Sequence, residues 1–140
     1  MSDSTFAWPS PTVTPLNAPF WKAAGQGRLV LQRCRSCDHL RYPIAPVCPS
    51  CLSTQTQWSE VSGNGEIFAR TVYRKAFGKQ LQDAVPYAVA IVQLDEGPRM
   101  ISNIACTDLE RVIVGGRVKV YFDDAGADLG VPRFRLLEEK

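Results

Sequence analysis

The 140-residue chain is long enough for one ordinary domain, or for two small domains that share a core. Its hydrophobic share of 45% and charged share of 21% are typical of a folded globular protein and exclude a disordered or fibrous chain. The net charge of +2 hides an excess of cations in residues 21–80, which hold nine basic and three acidic side chains; an anionic partner is one explanation, and a solvated surface is the other.

The sequence has neither a membrane-spanning nor a secretory pattern. No apolar run approaches the roughly 20 residues that cross a bilayer. The first residues, MSDSTFAWPSPTVTPL, lack the basic segment and apolar core of a signal peptide. We therefore expect a cytoplasmic protein without a membrane partner. In that reducing compartment, clustered cysteines are more often metal ligands or redox groups than disulfides.

The N-terminal part, residues 1–28, is predicted to be an extended arm followed by one short helix. Prolines among Ser and Thr residues favour the arm over residues 1–16, where Phe6 and Trp8 are the large apolar side chains. In the segment LNAPFWKAAGQG, Asn17 is the expected N-cap and a glycine ends the helix, whose apolar face is a Phe-Trp pair.

The next part, residues 29–59, is predicted to be a metal-binding ribbon. It opens with a predicted strand, RLVLQRC, in which Leu29 and Leu31 alternate with Arg28, Val30 and Gln32. This strand leads directly into a cluster of cysteines.

Four of the five cysteines stand in two pairs, Cys34-x2-Cys37 and Cys48-x2-Cys51, separated by ten residues. Each C-x2-C turn lets two thiolates converge on one ion while backbone N–H groups point at the sulfurs, and two such turns complete a tetrahedral site. Zn²⁺ is favoured because it accepts four thiolates without redox reactivity. Iron in a rubredoxin-like site, and a disulfide or redox pair, are the alternatives. With four protein ligands no position remains for water or substrate, so the site is predicted to be structural.

The remaining reactive side chains do not form a recognisable catalytic set. His39, the single histidine, is predicted to be an ordinary ribbon residue because four thiolates already satisfy an ion. Cys106 is expected to be a small core residue within a strand. Asp123, Asp124 and Asp128 are expected in a solvated loop. The chain is therefore predicted to have no catalytic residues of its own.

The last part, residues 60–140, is predicted to be a five-stranded barrel of the OB type. Five segments rich in β-branched and aromatic residues have strand patterns: GEIFARTVYRKAF, YAVAIVQL, RMISNIAC, RVKVYF and PRFRLL. Residues 62–65 form the expected turn before the first strand, and residues 95–98 form the expected hairpin between the second and third. No long helix is indicated, so the fold class is mainly β, with a five-stranded sandwich fragment as the alternative.

Several features are specific in combination: the Phe-Trp helix, the two cysteine pairs, the Ser-Gly-x-Gly turn and the terminal Pro-x-Phe. In them the chain resembles the acyl-CoA-associated zinc-ribbon/OB-fold family over about residues 17–137. The resemblance implies a rubredoxin-like ribbon whose paired cysteines bind one zinc ion, followed by an OB barrel. It also implies an accessory subunit that assembles with a thiolase, a thiolase-like aldolase or a hot-dog enoyl-CoA hydratase in lipid, sterol or polyketide-type acyl-CoA metabolism. Asp38 and Leu52 depart from the family, which often has glycine after each cysteine pair.

Two groups of side chains are predicted to make the binding contacts. If the cationic half meets the phosphates of an acyl-CoA, the contacts are six basic residues in two clusters, namely Arg33, Arg35 and Arg41, and then Arg74, Lys75 and Lys79. Aromatic side chains of the arm and helix are the expected contacts with a partner enzyme or, in a homodimer, with a second copy, namely Phe6, Trp8, Phe20 and Trp21. The alternative is that the two helix aromatics only cover the chain's own core.

Two other functions fit the same residues less well. A cationic OB barrel could bind single-stranded nucleic acid on exposed aromatic side chains. The isoelectric point of about 8.3 is, however, below the value of about 9 that nucleic-acid-binding domains tend to exceed, so a nucleic-acid partner is disfavoured. A rubredoxin-like electron carrier would require iron in place of zinc.

Overall fold

A computed structural model of the chain describes residues 11–76, 78–106 and 108–137. The elements in chain order are α1 (Ala18–Gly25), β1 (Leu29–Cys34), β2 (Leu40–Arg41), β3 (Thr56–Val61), β4 (Asn64–Tyr73), β5 (Tyr87–Leu94), β6 (Arg99–Ala105), β7 (Arg117–Gly126) and β8 (Leu129–Leu136). Short 3₁₀ turns at Lys79–Leu81 and Leu109–Arg111 precede β5 and β7. The predicted arm contacts Phe6 and Trp8 lie outside the described residues.

The strands β4 to β8 form a closed barrel in the order β4-β5-β6-β8-β7. Neighbouring strands are antiparallel except β6 and β8, whose short parallel pair closes the barrel. β5 buries every second side chain in the barrel interior, the period that a strand with one face in a core requires. The predicted five-stranded, mainly β fold of OB type is confirmed, and closure of the barrel excludes the sandwich alternative.

A second sheet, of order β2-β1-β3, precedes the barrel. The predicted strand β1 is present and is buried on both faces, since Val30 and Gln32 are 5% and 2% exposed and Leu29 and Leu31 are buried as well. The polar Gln32 is accommodated because its Oε1 accepts a hydrogen bond from the backbone N–H of Ala45. The strand therefore has packed atoms on both sides.

One hydrophobic core joins the ribbon sheet to the barrel. Phe20 of α1 and Leu31 of β1 belong to the same buried cluster as Phe134 of β8. β3 extends past the predicted boundary at residue 59, and β4 follows after two residues, so the turn predicted over residues 62–65 is confined to the first two of them. Ribbon and barrel therefore share one packed body.

The helix α1 packs closely on β8 because glycines stand at the contact. A Cβ at Gly25 would lie 2.0 Å from the carbonyl oxygen of Asp128, and one at Gly130 would lie 2.5 Å from that of Ala24. Any larger residue at these positions would force the two backbones apart.

No helix in the described ranges combines the length and the apolar character needed to cross a lipid bilayer.

Three local predictions differ from the structure. Asn17 holds the N-cap position but does not cap the helix, because its Oδ1 accepts from the N–H of Thr14. The pair Asp123–Asp124 lies in β7 and not in a loop, since β7 extends to the β7–β8 turn. Cys106 packs half-buried against the core, as predicted, but lies just past β6 and not within it, and its Sγ donates to the carbonyl oxygen of Asp108.

Candidate functional site

The two cysteine pairs lie in turns with the same backbone geometry. The N–H of Asp38 donates to the carbonyl oxygen of Cys34 at 2.9 Å, and the N–H of Leu52 donates to that of Cys48 at 2.8 Å. Asp38 and Leu52 have φ angles of +70° and +66°, a left-handed conformation that glycine adopts without strain. The two departures from the family's glycines therefore carry a backbone cost.

Backbone N–H groups point at a sulfur in each turn. The N–H of Ser36 lies 3.3 Å from Cys34 Sγ, and the N–H of Ser50 lies 3.4 Å from Cys48 Sγ. A hydrogen bond from the backbone N–H of Cys37, opposed by burial, lowers the pKa of the Cys34 thiol to about 6. This turn therefore favours the thiolate, the form that binds a metal ion.

The four sulfur atoms converge on one point. All lie within 4.8 Å of one another, and the Cys34–Cys51 and Cys37–Cys48 Sγ pairs are 3.6 and 3.7 Å apart. Tetrahedral Zn–S bonds of about 2.3 Å place sulfurs about 3.8 Å apart, so the residues fit one zinc ion. Four thiolates leave no position for water or substrate, and a bound zinc ion supplies folding stability there. The structure thus brings the four predicted ligands together.

The ribbon and the β5–β6 hairpin border an open depression of about 560 Å³, here called the ribbon cleft. Its wall includes Arg33, His39, Arg41 and Tyr42 from the ribbon, and residues 96–98 from the hairpin. Two of the three predicted ribbon cations therefore lie in one depression.

Of the two cations in the cleft wall, Arg33 and Arg41, Arg41 is the more deeply buried, and only 4% of it is exposed. Its Nη2 donates to the carbonyl oxygen of Ala45 and to Oγ1 of Thr56, both at 2.9 Å. Within the described residues its Nε and Nη1 have no hydrogen-bond partner. Buried donors without acceptors are costly, so an anion or a water molecule that met them would stabilise this side chain.

The other two ribbon cations are held by nearby oxygen atoms. Arg33 Nη1 donates to the carbonyl oxygen of Asp38 at 3.0 Å and lies 3.7 Å from its carboxylate. Arg35 Nε donates to the carbonyl oxygen of Thr56 at 3.4 Å, and Arg35 is not part of the cleft wall. The structure therefore separates Arg35 from the rest of its predicted cluster.

A second depression, of about 410 Å³, lies against the barrel and is here called the aromatic cleft. Phe20 and Trp21 line it from α1, and Tyr73, Tyr87 and Ile101 line it from the barrel. The two helix rings meet edge to face at 4.9 Å, and the two tyrosine rings stack at 5.3 Å. Phe20 is only 2% exposed, so most of its ring covers the chain's own core, whereas Ile101 is 63% exposed.

The two clefts meet at Tyr42, which lines both of them. The ribbon cleft lies at the hairpin end of β5 and β6, and the aromatic cleft reaches Tyr87 at the start of β5. Because they share Tyr42, the two depressions are here called together the β5–β6 groove.

The second predicted basic cluster lies near the far end of this groove. Arg74 and Lys75 directly follow Tyr73, the last residue of β4, and Lys79 begins the 3₁₀ turn whose Leu81 lines the aromatic cleft. Arg33 and Arg41 therefore lie at one end of the β5–β6 groove, and the second predicted cluster lies near the other.

The sequence did not indicate the polar residues of the aromatic cleft, nor the roles of Tyr42 and Ile101. Arg133 is 8% exposed, and its guanidinium donates to the carboxylate of Asp123 and to the side-chain oxygen of Asn103. One signal was available, because the β5 sequence YAVAIVQL is apolar at outward as well as inward positions. A strand that is apolar on both faces indicates a second contact surface.

The chain is similar to known proteins along most of its length. Residues 21–57 match the family described as "ChsH2, rubredoxin-like zinc ribbon domain", and residues 58–123 match "ChsH2, C-terminal OB-fold domain". The chain is 34% identical over 127 residues to a probable enoyl-CoA hydratase alpha subunit of Thermomonospora curvata, with 91% of this chain and 39% of that protein covered. It is 31% identical over 96 residues to a DUF35 domain-containing scaffold protein of Methanocaldococcus jannaschii, with 67% of each covered.

A solved structure described as "Ltp2-ChsH2(DUF35) aldolase" has a similar fold. The TM-score is 0.79 at 33% identity, and the match covers 90% of this chain and 98% of that one. The chain thus spans about two fifths of the hydratase subunit, at 39%, and nearly all of the matching chain in the aldolase structure.

Proposed function

The chain belongs to the DUF35 family of ChsH2-type proteins, in which a rubredoxin-like zinc ribbon precedes an OB-fold domain, and on this premise we propose that it is an accessory subunit of an acyl-CoA-processing enzyme. Its partner in this proposal is a hydratase or aldolase subunit, with a thiolase as a further member of the same class. The names of a hydratase relative and of an aldolase structure support that choice. The accessory subunit binds the acyl-CoA and holds its partner, and the partner performs the reaction.

The β5–β6 groove is the observation on which this proposal depends. Its ribbon end has the cations Arg33 and Arg41 in the wall, and guanidinium groups suit the phosphates of coenzyme A. The wall of its other end is mainly apolar, with Trp21, Tyr87 and Ile101, which suits an acyl chain. An acyl-CoA has the same order of charged and apolar parts along its length.

The metal centre supports the same role. Zinc held by four thiolates orders the ribbon, and the ribbon provides one wall of the groove through the segment that ends at Tyr42. The metal is therefore a structural element of the binding surface in this proposal.

Assembly with an enzyme subunit is the first test. The chain is co-expressed with hydratase, aldolase and thiolase subunits from the same genome, and the mass of any purified complex is measured. We expect a stable complex that turns over acyl-CoA, and no turnover by the chain alone, because it offers no activated nucleophile with a paired base. Turnover by the isolated chain, or no assembly with such a subunit, would overturn the proposal.

Binding of acyl-CoA to the complex is the second test. Arg33→Gln is expected to weaken binding about tenfold, and more at low than at high salt, because a charge-assisted contact to phosphate is lost. Arg35→Gln is the matched control, since Arg35 is an exposed neighbour outside the cleft wall. If both variants bind acyl-CoA as tightly as the parent, the chain is a scaffold that does not contact the substrate. Tight, salt-sensitive binding of a single-stranded oligonucleotide would instead favour the nucleic-acid alternative.

A further inference from the structure

Half of β4 has an edge that no strand of the described chain covers. β4 pairs with β7 only over Asn64–Glu66, and the backbone of Ile67 then bonds to Gly115 and Gly116 at 2.8 and 2.9 Å. Beyond Ile67, β4 pairs with β5 on one side. On the opposite side of residues 68–72, no backbone hydrogen bond is formed within the described ranges. We call this segment the open edge. A row of unpaired N–H and C=O groups is the surface to which another strand adds.

Exposed apolar side chains lie on and beside the open edge. Phe68 within it is 47% exposed, and Arg99 stacks over its ring at 3.8 Å. Ile113 and Val114 are 55% and 66% exposed and precede the two glycines that bond to β4. Exposed apolar side chains next to unpaired backbone are typical of a surface that contacts another protein.

The open edge has two features that oppose pairing with a second copy of this chain. A register shift between Ile67 and Ala69 forms a bulge, which interrupts a regular ladder. Arg70 lies within the edge and Arg74 follows it, and neither forms an ion pair in the described part of the chain. Two copies joined here would bring these cations together, whereas a segment with carboxylates would be attracted to them.

We propose that the open edge accepts an extended segment of the partner enzyme subunit as an added β-strand beside β4. The segment has apolar side chains that contact Phe68, Ile113 and Val114, and carboxylates near Arg70 and Arg74. This inference rests on the proposed function, for which it supplies the assembly contact. The open edge does not line the β5–β6 groove, so enzyme and acyl-CoA bind at the same time.

Hydrogen exchange on the purified complex tests the inference directly. The chain is co-expressed with the hydratase, aldolase or thiolase subunit with which it assembles, and amide exchange is compared between the free chain and the complex. An added strand is expected to slow exchange about tenfold or more at alternate amides of residues 68–72. The β7–β8 connection, residues 126–129, is the internal control and is expected to exchange at the same rate in both samples.

Charge reversal provides a second, independent measurement. Arg70→Glu/Arg74→Glu is expected to weaken assembly about tenfold at low salt and less at high salt. The matched control is Lys119→Glu/Arg135→Glu, which replaces two exposed cations that face each other on β7 and β8 by two anions. The control is expected to leave assembly within about twofold, since exposed charges away from an interface contribute little.

The outcomes separate this inference from the proposed function. A complex that forms without protection of residues 68–72, or that is weakened equally by both double variants, overturns the added strand and leaves the accessory role in place. Protection of the same amides in the free chain as its concentration rises assigns the edge to a second copy and also overturns the inference. If the chain assembles with no such enzyme subunit, both the proposed function and the inferred added strand are wrong.

Discussion

Single residues decide how the metal centre and the ribbon cleft are built. The four ligands were predictable because a C-x2-C turn is local and requires no knowledge of the rest of the fold. The burial of Arg41 was not predictable, because it depends on Ala45 and Thr56 lying across the ribbon as acceptors. The sequence placed Asp38 and Leu52 after the cysteine pairs, and the structure shows that both adopt a positive φ.

Leu52→Gly is expected to stabilise the protein by about 0.5–1 kcal/mol. Leu52 has a φ angle of +66° and is 74% exposed, so glycine relieves backbone strain with little loss of buried area. Chemical denaturation of the metal-loaded protein measures the change. Asp38→Gly is the matched comparison and is expected to gain less, because aspartate tolerates this conformation better and its ion pair with Arg33 is lost. A less stable Leu52→Gly variant would contradict this account of the turn.

At the scale of elements, the tip of the β5–β6 hairpin is fixed to its neighbours by polar contacts. The N–H of Asp95 donates to the carbonyl oxygen of Asn64 at 2.9 Å, and the N–H of Ser62 donates to the carboxylate of Glu96 at 2.8 Å. Both terminal nitrogens of Arg117 donate to the Asp95 carboxylate, at 3.0 and 2.9 Å. These contacts hold the hairpin end of the β5–β6 groove in place.

Elements with local signals were predicted better than those formed by tertiary contact. β5 has the bounds of the segment YAVAIVQL, and its hairpin to β6 follows from the turn residues after it. β3 was not indicated, because TQWSEV has little alternation and becomes a strand by pairing with β1. The burial of both faces of β1 and the β5–β6 groove likewise depend on distant parts of the chain meeting.

Asp95→Asn is expected to lower stability at neutral pH and to have no effect in acid. The hydrogen bond from Arg117 lowers the pKa of the Asp95 carboxyl below its usual value. A lowered folded-state pKa contributes stability that is present above the unfolded-state pKa, of about 3.9, and that is lost as the pH falls through the folded-state value. Unfolding midpoints of the parent and variant should therefore differ at neutral pH and converge below about pH 4.

The matched control for this pair is Asp83→Asn. Asp83 is an exposed carboxylate with no ion pair within the described residues, so its removal should leave the unfolding midpoint unchanged at either pH. A midpoint difference for Asp95→Asn that persists in acid would mean that the contact acts through packing and not through charge.

At the scale of the whole molecule, the ribbon and the barrel have a common core, so they are expected to unfold together. Leu29 and Leu31 of the ribbon sheet belong to the same buried cluster as Ile67 and Val118 of the barrel. Small bodies with one core usually unfold in a single transition. The metal centre therefore affects the stability of the barrel as well as that of the ribbon.

Cys48→Ser is expected to lose the metal ion and to lower the unfolding temperature of the whole chain by roughly 10 °C or more. Cys48 is fully buried, so the hydroxyl can neither complete a four-thiolate site nor reach solvent. Elemental analysis and thermal unfolding measure the two effects. Cys106→Ser, which changes a half-buried thiol outside the site, is the control and should retain one zinc ion per chain. Full zinc content in Cys48→Ser would contradict the assigned ligand set.

Because β3 runs without a break across residue 59, the ribbon and the barrel cannot be separated there when this architecture is combined with other domains. A fragment that began at residue 60 would lack β1 and most of β3, so the barrel side chains that share a core with Leu31, such as Ile67 and Val118, would lose that cover. The smallest unit that keeps this core intact therefore runs from α1 through β8. The likeness to the longer hydratase subunit extends over 127 residues, or 91% of this chain, as expected if the block is inherited as one unit.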